Sequence, residues 1–199
     1  MDYIELNLLD MLDTYGEDRL KTILSPFMCP QNKDVENFIQ AKAIDFARQR
    51  IAMTYLVFSD GKSPELVGYF TLANKFVSIT GNALSKTLQK RIKKFSQYDE
   101  ELDRFLVSMP LIAQLGKNFN PSLSSFIPGQ DLLSIACGKV QEAQFIIGGK
   151  TVYIECANNP KLYTFYTSSQ FVQFGSRERD TDEIAESPVL VQMLKYFRD

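Results

Sequence analysis

The sequence predicts an α/β protein in which helices cover the faces of a mixed β-sheet. Apolar residues recur at helical spacing in several segments, and β-rich runs bounded by turn residues alternate with helical segments in the second half. Of the 199 residues 45% are hydrophobic and 23% are charged, so the chain can bury a sizeable core and is not disordered. We expect one domain spanning residues 1–199, with a helical insertion at about 82–108.

The first half of the chain predicts three helices and a hairpin. The chain is predicted to open with a helix, because Leu6, Leu9 and Leu12 recur near helical spacing and Tyr15-Gly16 breaks the run; a second short helix follows over Glu17 to Leu24. From Asn32 onward a set of apolar residues falls on one helical face, namely Val35, Phe38, Ile39, Ala43 and Phe46. The hairpin has β-rich runs at 54–58 and 66–72 with turn residues between them.

A helical segment is expected from Leu84 to about Leu106, and its first half is basic. Five cations stand within nine residues with no acidic residue among them, at Lys86, Lys90, Arg91, Lys93 and Lys94. The segment is either a solvated helix face, the usual outcome for such a run, or a surface that steers a polyanion.

The second half alternates strand and helix. The expected elements are a strand at 111–115, a polar loop at 116–129, a helix at 130–143, a strand at 151–156, a short helix from Asn159-Pro160 to Ser169, and strands at 171–174 and 189–196. This order implies a mixed sheet.

Residue counts exclude several kinds of chemistry. The chain has no histidine, which rules out Ser-His-Asp and Cys-His pairs and imidazole acid–base steps, and we expect no metal site. Three distant cysteines, an acidic N-terminus and no long apolar run favour a reduced, cytoplasmic protein without a membrane partner. The net charge of −2 gives no global attraction to nucleic acid.

The segment 153–171 is the most informative part of the sequence. A buried strand leads into the N-terminus of a helix, and Phe165 and Tyr166 follow within two turns, pointing about 100° apart. If Phe165 packs into the core, Tyr166 turns toward the strand ends, where open sheets bind ligands. The alternative is that both rings belong to the core.

This segment resembles the closing motif of the GNAT superfamily of acyl-CoA N-acyltransferases, N-x-x-A-x-x-F-Y-x-x-x-G-F. Asn159, Phe165, Tyr166 and Phe171 match, whereas Leu162 and Gln170 replace the usual small residue and glycine. The resemblance implies a GNAT fold, with a mixed, mostly antiparallel central sheet of about six to seven strands flanked by helices. It also implies acetyl-CoA as the acyl donor, no metal, an Asn159 that contacts the pantetheine arm and a Tyr166 that protonates the departing thiolate.

The preceding segment is similar to the family's pyrophosphate loop, R/Q-x-x-G-x-G/A, which ends at a helix N-terminus. Gly129 fits the last glycine, while Ile127 and Ser124 stand at the first glycine and the basic or amide position. The resemblance implies that the cofactor contacts the strand end and the helix start, through Leu115, Gly116, Lys117, Gly129, Gln130 and Asp131.

The resemblance implies an acetyl-CoA-dependent N-acetyltransferase that acts on a primary amine of a small molecule, peptide or protein. Acetyl transfer needs a neutral amine, a stabilised oxyanion and a protonated leaving thiolate. Glu155 is the best candidate base, directly or through water, unless it is a salt-bridged strand residue and no base exists. Two alternatives remain, a toxin-type GNAT that acetylates aminoacyl-tRNA and an inactive CoA-binding or interaction module. The family also makes a homodimer possible.

Overall fold

The structure, a computed structural model, describes residues 3–124, 126–179 and 188–198. The chain forms two compact units, the first of Met1–Ala73 with Ala113–Ala136 and the second of Asn74–Ile112 with Cys137–Asp199. The expectation of a single domain over residues 1–199 stays a prediction.

The described residues contain seven α-helices and eight strands. The helices are α1 (Leu8–Tyr15), α2 (Glu17–Leu24), α3 (Lys33–Asn37), α4 (Ala43–Arg48), α5 (Lys86–Ile92), α6 (Gly129–Ile147) and α7 (Pro160–Ser168). The strands are β1 (Tyr3–Asn7), β2 (Met53–Ser59), β3 (Leu66–Thr80), β4 (Gln97–Asp99), β5 (Arg104–Lys117), β6 (Thr151–Ala157), β7 (Val172–Glu178) and β8 (Val189–Tyr196). None of these described helices is long and apolar enough to cross a membrane.

The first unit confirms the helix at Glu17–Leu24, the helical stretch after Asn32 and the hairpin. Asn32 caps α3 by accepting the backbone N–H groups of Asp34 and Val35, and a π-helical turn, Phe38–Lys42, continues into α4. The apolar face predicted from spacing packs against α1, α2 and β2 in one buried core. The opening helix was predicted to include Leu6, which is wrong, because residues 3–7 pair with β2 as an antiparallel strand.

The strand order of the first unit is β1-β2-β3-β5, and the order of the second is β5-β6-β8-β7 with β4 beside β5. The pair β5–β6 is parallel, through Leu111 with Tyr153 and Ile112 with Ile154, and the other strand pairs whose direction is resolved in the described residues are antiparallel. The mixed, mostly antiparallel sheet with flanking helices is therefore confirmed.

The segment predicted to be helical from Leu84 to about Leu106 is helical only over Lys86–Ile92. A β-hairpin, β4 with the start of β5, replaces the rest, so the predicted helical insertion at about 82–108 is only partly helical. Its turn is fixed by Asp99, whose carboxylate accepts two backbone N–H groups, and by Asp103, whose left-handed φ of 48° is incompatible with a continuous right-handed helix.

Two faces of β6 and β8 organise the second unit. Residues paired across an antiparallel ladder share a face, and successive residues alternate. Gln192 and Tyr196 pair with Glu155 and Thr151 and lie on one face with them. Lys195 lies on the opposite face, where its ammonium is 5.9 Å from the Phe171 ring centroid. We call the face that carries Glu155, Gln192 and Tyr196 the Glu155 face. The opposite face, which carries Cys156 and Lys195, is the Cys156 face.

Candidate functional site

The end of β5 in the first unit carries three of the predicted cofactor contacts. The Asn118 N–H donates to the Val67 carbonyl at 2.9 Å. Because successive N–H groups of a strand point to opposite edges, the N–H of Gly116 also points toward β3, and those of Leu115 and Lys117 point away from it. The strand geometry therefore favours Leu115 and Lys117 over Gly116 as backbone donors to a ligand.

Gly116 is required by packing. A Cβ there would overlap Val35 Cγ1 and lie 2.8 Å from Tyr69 Cε1. Tyr69 has no room to move, since it is fully buried and donates its hydroxyl to the Val35 carbonyl at 2.6 Å. Only glycine fits against this ring.

The start of α6 packs beside the end of β5. A Cβ at Gly68 would lie 3.0 Å from the Gly116 carbonyl oxygen and 3.2 Å from Leu132 Cδ2, so the first turn of α6 rests on β3 next to Gly116. The Pro128 carbonyl accepts the N–H groups of Asp131 and Leu132. Asp131 is thus an acidic residue in the first helical turn, where its charge suits the helix dipole. Within the described residues the Gly129 N–H has no hydrogen-bond acceptor.

The loop between β5 and α6 is held by polar contacts that the sequence did not reveal. The buried Asn118 side chain accepts the Met28 N–H and donates to the Leu66 carbonyl. Ser124, at the position of the family's basic or amide residue, donates its N–H and hydroxyl to the Glu65 carboxylate. The loop is therefore flanked by two acidic groups, Glu65 just before β3 and Asp131 in the first turn of α6, and Lys117 is a cation at the end of β5.

The start of α7 in the second unit confirms the predicted helix. The Asn159 side-chain oxygen accepts the Lys161 N–H at 2.8 Å, and Pro160 occupies the first helical turn. Cap formation uses the oxygen of the amide, which leaves its NH₂ group without a protein partner among the described residues. Asn159 is exposed and can donate to a ligand carbonyl.

Tyr166 lies on the Cys156 face with its ring buried between Phe165 and Phe171, at centroid distances of 5.0 and 5.7 Å. It is 8% exposed, whereas Phe165 is half-buried, so Tyr166 is the more deeply buried ring of the pair. Its hydroxyl has no hydrogen-bond partner within the described residues.

Burial raises the pKa of Tyr166 far above the ordinary value of 10.0, with smaller contributions from Cys156 and Cys137. The phenol therefore stays protonated at any physiological pH, as an acid must before it donates. Burial also raises the pKa of the Cys137 and Cys156 thiols to about 11, so both are neutral near pH 7 and are poor nucleophiles.

Glu155 lies on the other face of β6 from Tyr166, so the two predicted catalytic residues are not brought together. Arg177 Nε donates to Glu155 Oε2 at 2.8 Å, and Gln192 Nε2 donates to Glu155 Oε1 at 2.8 Å. Both carboxylate oxygens are thus engaged, which favours the salt-bridged strand residue over the base.

We expect Glu155→Gln to destabilise the protein but to leave turnover within about threefold. Loss of the charge leaves Arg177 facing a neutral amide, and a partly buried pair of this kind contributes about 1–3 kcal/mol. Urea unfolding and steady-state kinetics measure the two effects. A fall in turnover of a hundredfold with unchanged stability would instead assign Glu155 as the base.

The described residues contain no group of three or more histidine, cysteine, aspartate or glutamate side chains that can hold a metal ion.

The chain matches no family model and no curated protein sequence. Solved structures do match it. AtaT complexed with acetyl-methionyl-tRNAfMet is 20% identical over 96% of this chain and 94% of that chain, with a TM-score of 0.62. A tyrosine-to-phenylalanine variant of KacT is 18% identical over 97% of this chain and 95% of that chain, with a TM-score of 0.61.

A third structure is a tyrosine-to-phenylalanine variant of the AtaT toxin bound to acetyl-CoA and to the C-terminus of the antitoxin AtaR. It is 16% identical over 98% of this chain and 94% of that chain, with a TM-score of 0.60. The AtaT and KacT toxins are GNAT proteins. The chain has the GNAT fold. The predicted cofactor contacts at 115–117 and 129–131 lie in the first unit. Glu155, Asn159 and Tyr166 lie in the second.

Proposed function

We propose that the protein is an N-acetyltransferase that moves the acetyl group of acetyl-CoA to an α-amine. The observation that carries this proposal is the Tyr166 phenol, protonated, unpaired within the described residues and seven residues after the helix-capping Asn159. The resemblance to AtaT, one of whose structures is bound to acetyl-CoA, supports the choice of donor.

The predicted contact residues offer acetyl-CoA more hydrogen-bond donors than positive charges. The Gly129 N–H at the start of α6 and the Lys117 ammonium are proposed to meet the pyrophosphate, with Gln130 and Asp131 beside them. The Asn159 NH₂ group is proposed to donate to a pantetheine carbonyl. Glu65 and Asp131 oppose the phosphate charge, so we expect weaker binding than a basic loop would give.

Acetyl-CoA supplies the activated thioester. The backbone N–H groups of Leu115 and Lys117 are proposed to hold the thioester carbonyl and to stabilise negative charge on its oxygen, while Gly116 provides the close packing beneath them. The bond from carbonyl carbon to sulfur breaks as the carbon–nitrogen bond forms. Tyr166 gives its proton to the departing thiolate, the amine loses its proton to water, and water returns a proton to Tyr166.

The engagement of Glu155, the base candidate among the described residues, favours an α-amine as the acceptor. An α-amine has a pKa of about 7.7–8.0 and is substantially neutral near pH 8, whereas a lysine side chain, at about 10.4, needs a base. The chain has no histidine, and Glu155 is engaged. Since AtaT was solved with acetyl-methionyl-tRNAfMet, we propose aminoacyl-tRNA as the α-amine acceptor ahead of a peptide N-terminus.

We expect kcat/KM to rise with pH and to level off above about pH 8, with a midpoint that follows the pKa of the acceptor amine. Below that pH the amine is protonated and unreactive, and the raised pKa of Tyr166 keeps the acid protonated through the plateau. Rates measured from pH 5 to 9 with two amines of different pKa test this. A midpoint between pH 4 and 6 that is the same for both amines would indicate a carboxylate base.

Calorimetry with acetyl-CoA tests the proposal at its first step. We expect saturable binding that free acetate does not reproduce. No heat change at millimolar acetyl-CoA with folded protein would favour the inactive interaction module.

A further inference from the structure

The basic residues of α5 and of the two positions that follow it form a surface that the fold leaves uncovered. We call Lys86, Lys90, Arg91, Lys93 and Lys94 the basic α5 surface; all are exposed except Arg91, which is half-buried. None of them forms an ion pair with a carboxylate of the described residues. Elsewhere Lys21, Lys33 and Lys139 are each paired with a nearby glutamate.

The helix that carries these cations is anchored firmly. Ile92 is fully buried, and Gln89 Nε2 donates to the Gly81 and Leu84 carbonyls at 2.7 and 2.8 Å. The Arg91 guanidinium carbon lies 5.0 Å from the Tyr196 ring centroid, and the Phe95 ring lies 6.2 Å from it. The helix backbone and the Arg91 side chain are therefore held in place, which reduces the ordering cost of binding.

Contact with Tyr196 places α5 on the Glu155 face, opposite Tyr166. On the proposed function, Asn159 and Tyr166 of α7 hold acetyl-CoA from the Cys156 face. An acceptor therefore approaches from the side that the cofactor does not cover, which is the face that α5 flanks. The basic α5 surface lies on the acceptor side of the second unit.

The acidic groups nearest in sequence are largely engaged. Tyr98 donates its hydroxyl to Asp103 Oδ1 at 2.6 Å, and Asp99 Oδ1 accepts the N–H groups of Glu101 and Leu102. The carboxylates of Glu100 and Glu101 follow in the same exposed turn. None of these acids forms an ion pair with the basic α5 surface within the described residues, but their charges lie beside Tyr98, whose ring centroid is 5.5 Å from Lys93 Nζ.

We infer that the basic α5 surface binds the phosphate backbone of the RNA acceptor. This inference rests on the proposed function, because the surface would bind the part of the RNA acceptor that lies away from the reacting amine. Five cations that form no ion pair within the described residues suit a polyanion, even in a chain of net charge −2. A bilayer fits less well, since the exposed residues of α5, Lys86, Thr87 and Lys90, are not apolar and the neighbouring Phe95, 38% exposed, is in ring contact with Tyr196.

The test is a pair of matched double variants. Lys90→Gln with Lys94→Gln removes two charges from the basic α5 surface, and Lys42→Gln with Lys62→Gln removes two from exposed positions of the first unit. Binding of uncharged tRNA is measured by fluorescence anisotropy at several salt concentrations. We expect the α5 pair to bind more weakly and to lose about 2 from the slope of log K against log salt, about 1 for each phosphate contact.

The control pair should keep the affinity and slope of the unaltered protein, and Lys90→Arg with Lys94→Arg should restore both. Equal tRNA binding by the α5 and control pairs would overturn the inference. It would also be overturned if the α5 pair kept its tRNA binding and instead lost binding to anionic phosphatidylglycerol vesicles.

Acetyl transfer to an amino-acid methyl ester, which has no phosphates, separates this inference from the proposed function. We expect the α5 pair to retain that activity in full while its KM for aminoacyl-tRNA rises. If the unaltered protein acetylates neither acceptor, the proposed function fails. If it acetylates both and the α5 pair does so equally well, only the inference about α5 fails.

Discussion

Tyr166→Phe is expected to lower kcat by about 10² to 10³-fold while the Kd for acetyl-CoA changes by less than about threefold. The substitution removes the only proton donor proposed for the thiolate. It keeps the ring that packs against Phe165 and Phe171, and removal of a buried hydroxyl that has no partner within the described residues costs little stability. Steady-state release of the CoA thiol and calorimetry measure the two effects.

Tyr163→Phe is the matched control for this substitution. Tyr163 stands on the same helix and is 42% exposed, so loss of its hydroxyl should leave both kcat and Kd unchanged. Equal turnover by the Tyr166→Phe protein and the unaltered protein would remove Tyr166 from the mechanism. A parallel loss of acetyl-CoA binding would give it a binding role instead.

Gly116→Ala is expected to destabilise the protein by about 1–3 kcal/mol or more, because the new methyl group overlaps Val35 and Tyr69. Urea unfolding measures the loss. Adding Val35→Ala removes the nearest overlapping atom. The double variant should therefore lose less unfolding free energy than the sum of the losses of the two single variants.

The same pair of variants separates packing from cofactor binding at Gly116. Under conditions where Gly116→Ala is folded, we expect acetyl-CoA to bind it, because the backbone donors lie at Leu115 and Lys117. Full stability combined with lost acetyl-CoA binding would show that Gly116 contacts the cofactor directly.

Periodicity predicted the parts of the fold whose signals are local. The helix after Asn32 and the hairpin around residues 54–72 follow from apolar spacing and turn residues. The strand β1 was missed because its pairing with β2 joins residues about fifty positions apart, and Leu6 continues a leucine spacing that is typical of a helix. The hairpin after α5 had local signals, Asp99 and Asp103, that were outweighed by Leu84, Leu88 and Ile92.

The candidate site divides in the same way. The helix start at Asn159 and the position of Tyr166 within that helix follow from local sequence. The partners of Glu155 stand 22 and 37 residues away, so no spacing identifies the ion pair that engages it. The packing that demands Gly116 depends likewise on Val35 and Tyr69, which the fold alone brings together.

The central claim is acetyl transfer to an α-amine with Tyr166 as the acid, and product analysis tests it most directly. The protein is incubated with acetyl-CoA and a panel of acceptors: aminoacyl-tRNA, a peptide with a free N-terminus and a lysine side chain. Thiol release and product mass are both recorded. We predict an N-acetylated α-amine in amounts equal to the released thiol, fastest with aminoacyl-tRNA and nearly absent with Tyr166→Phe. Thiol release without any acetylated amine, or equal product from Tyr166→Phe, would contradict the account.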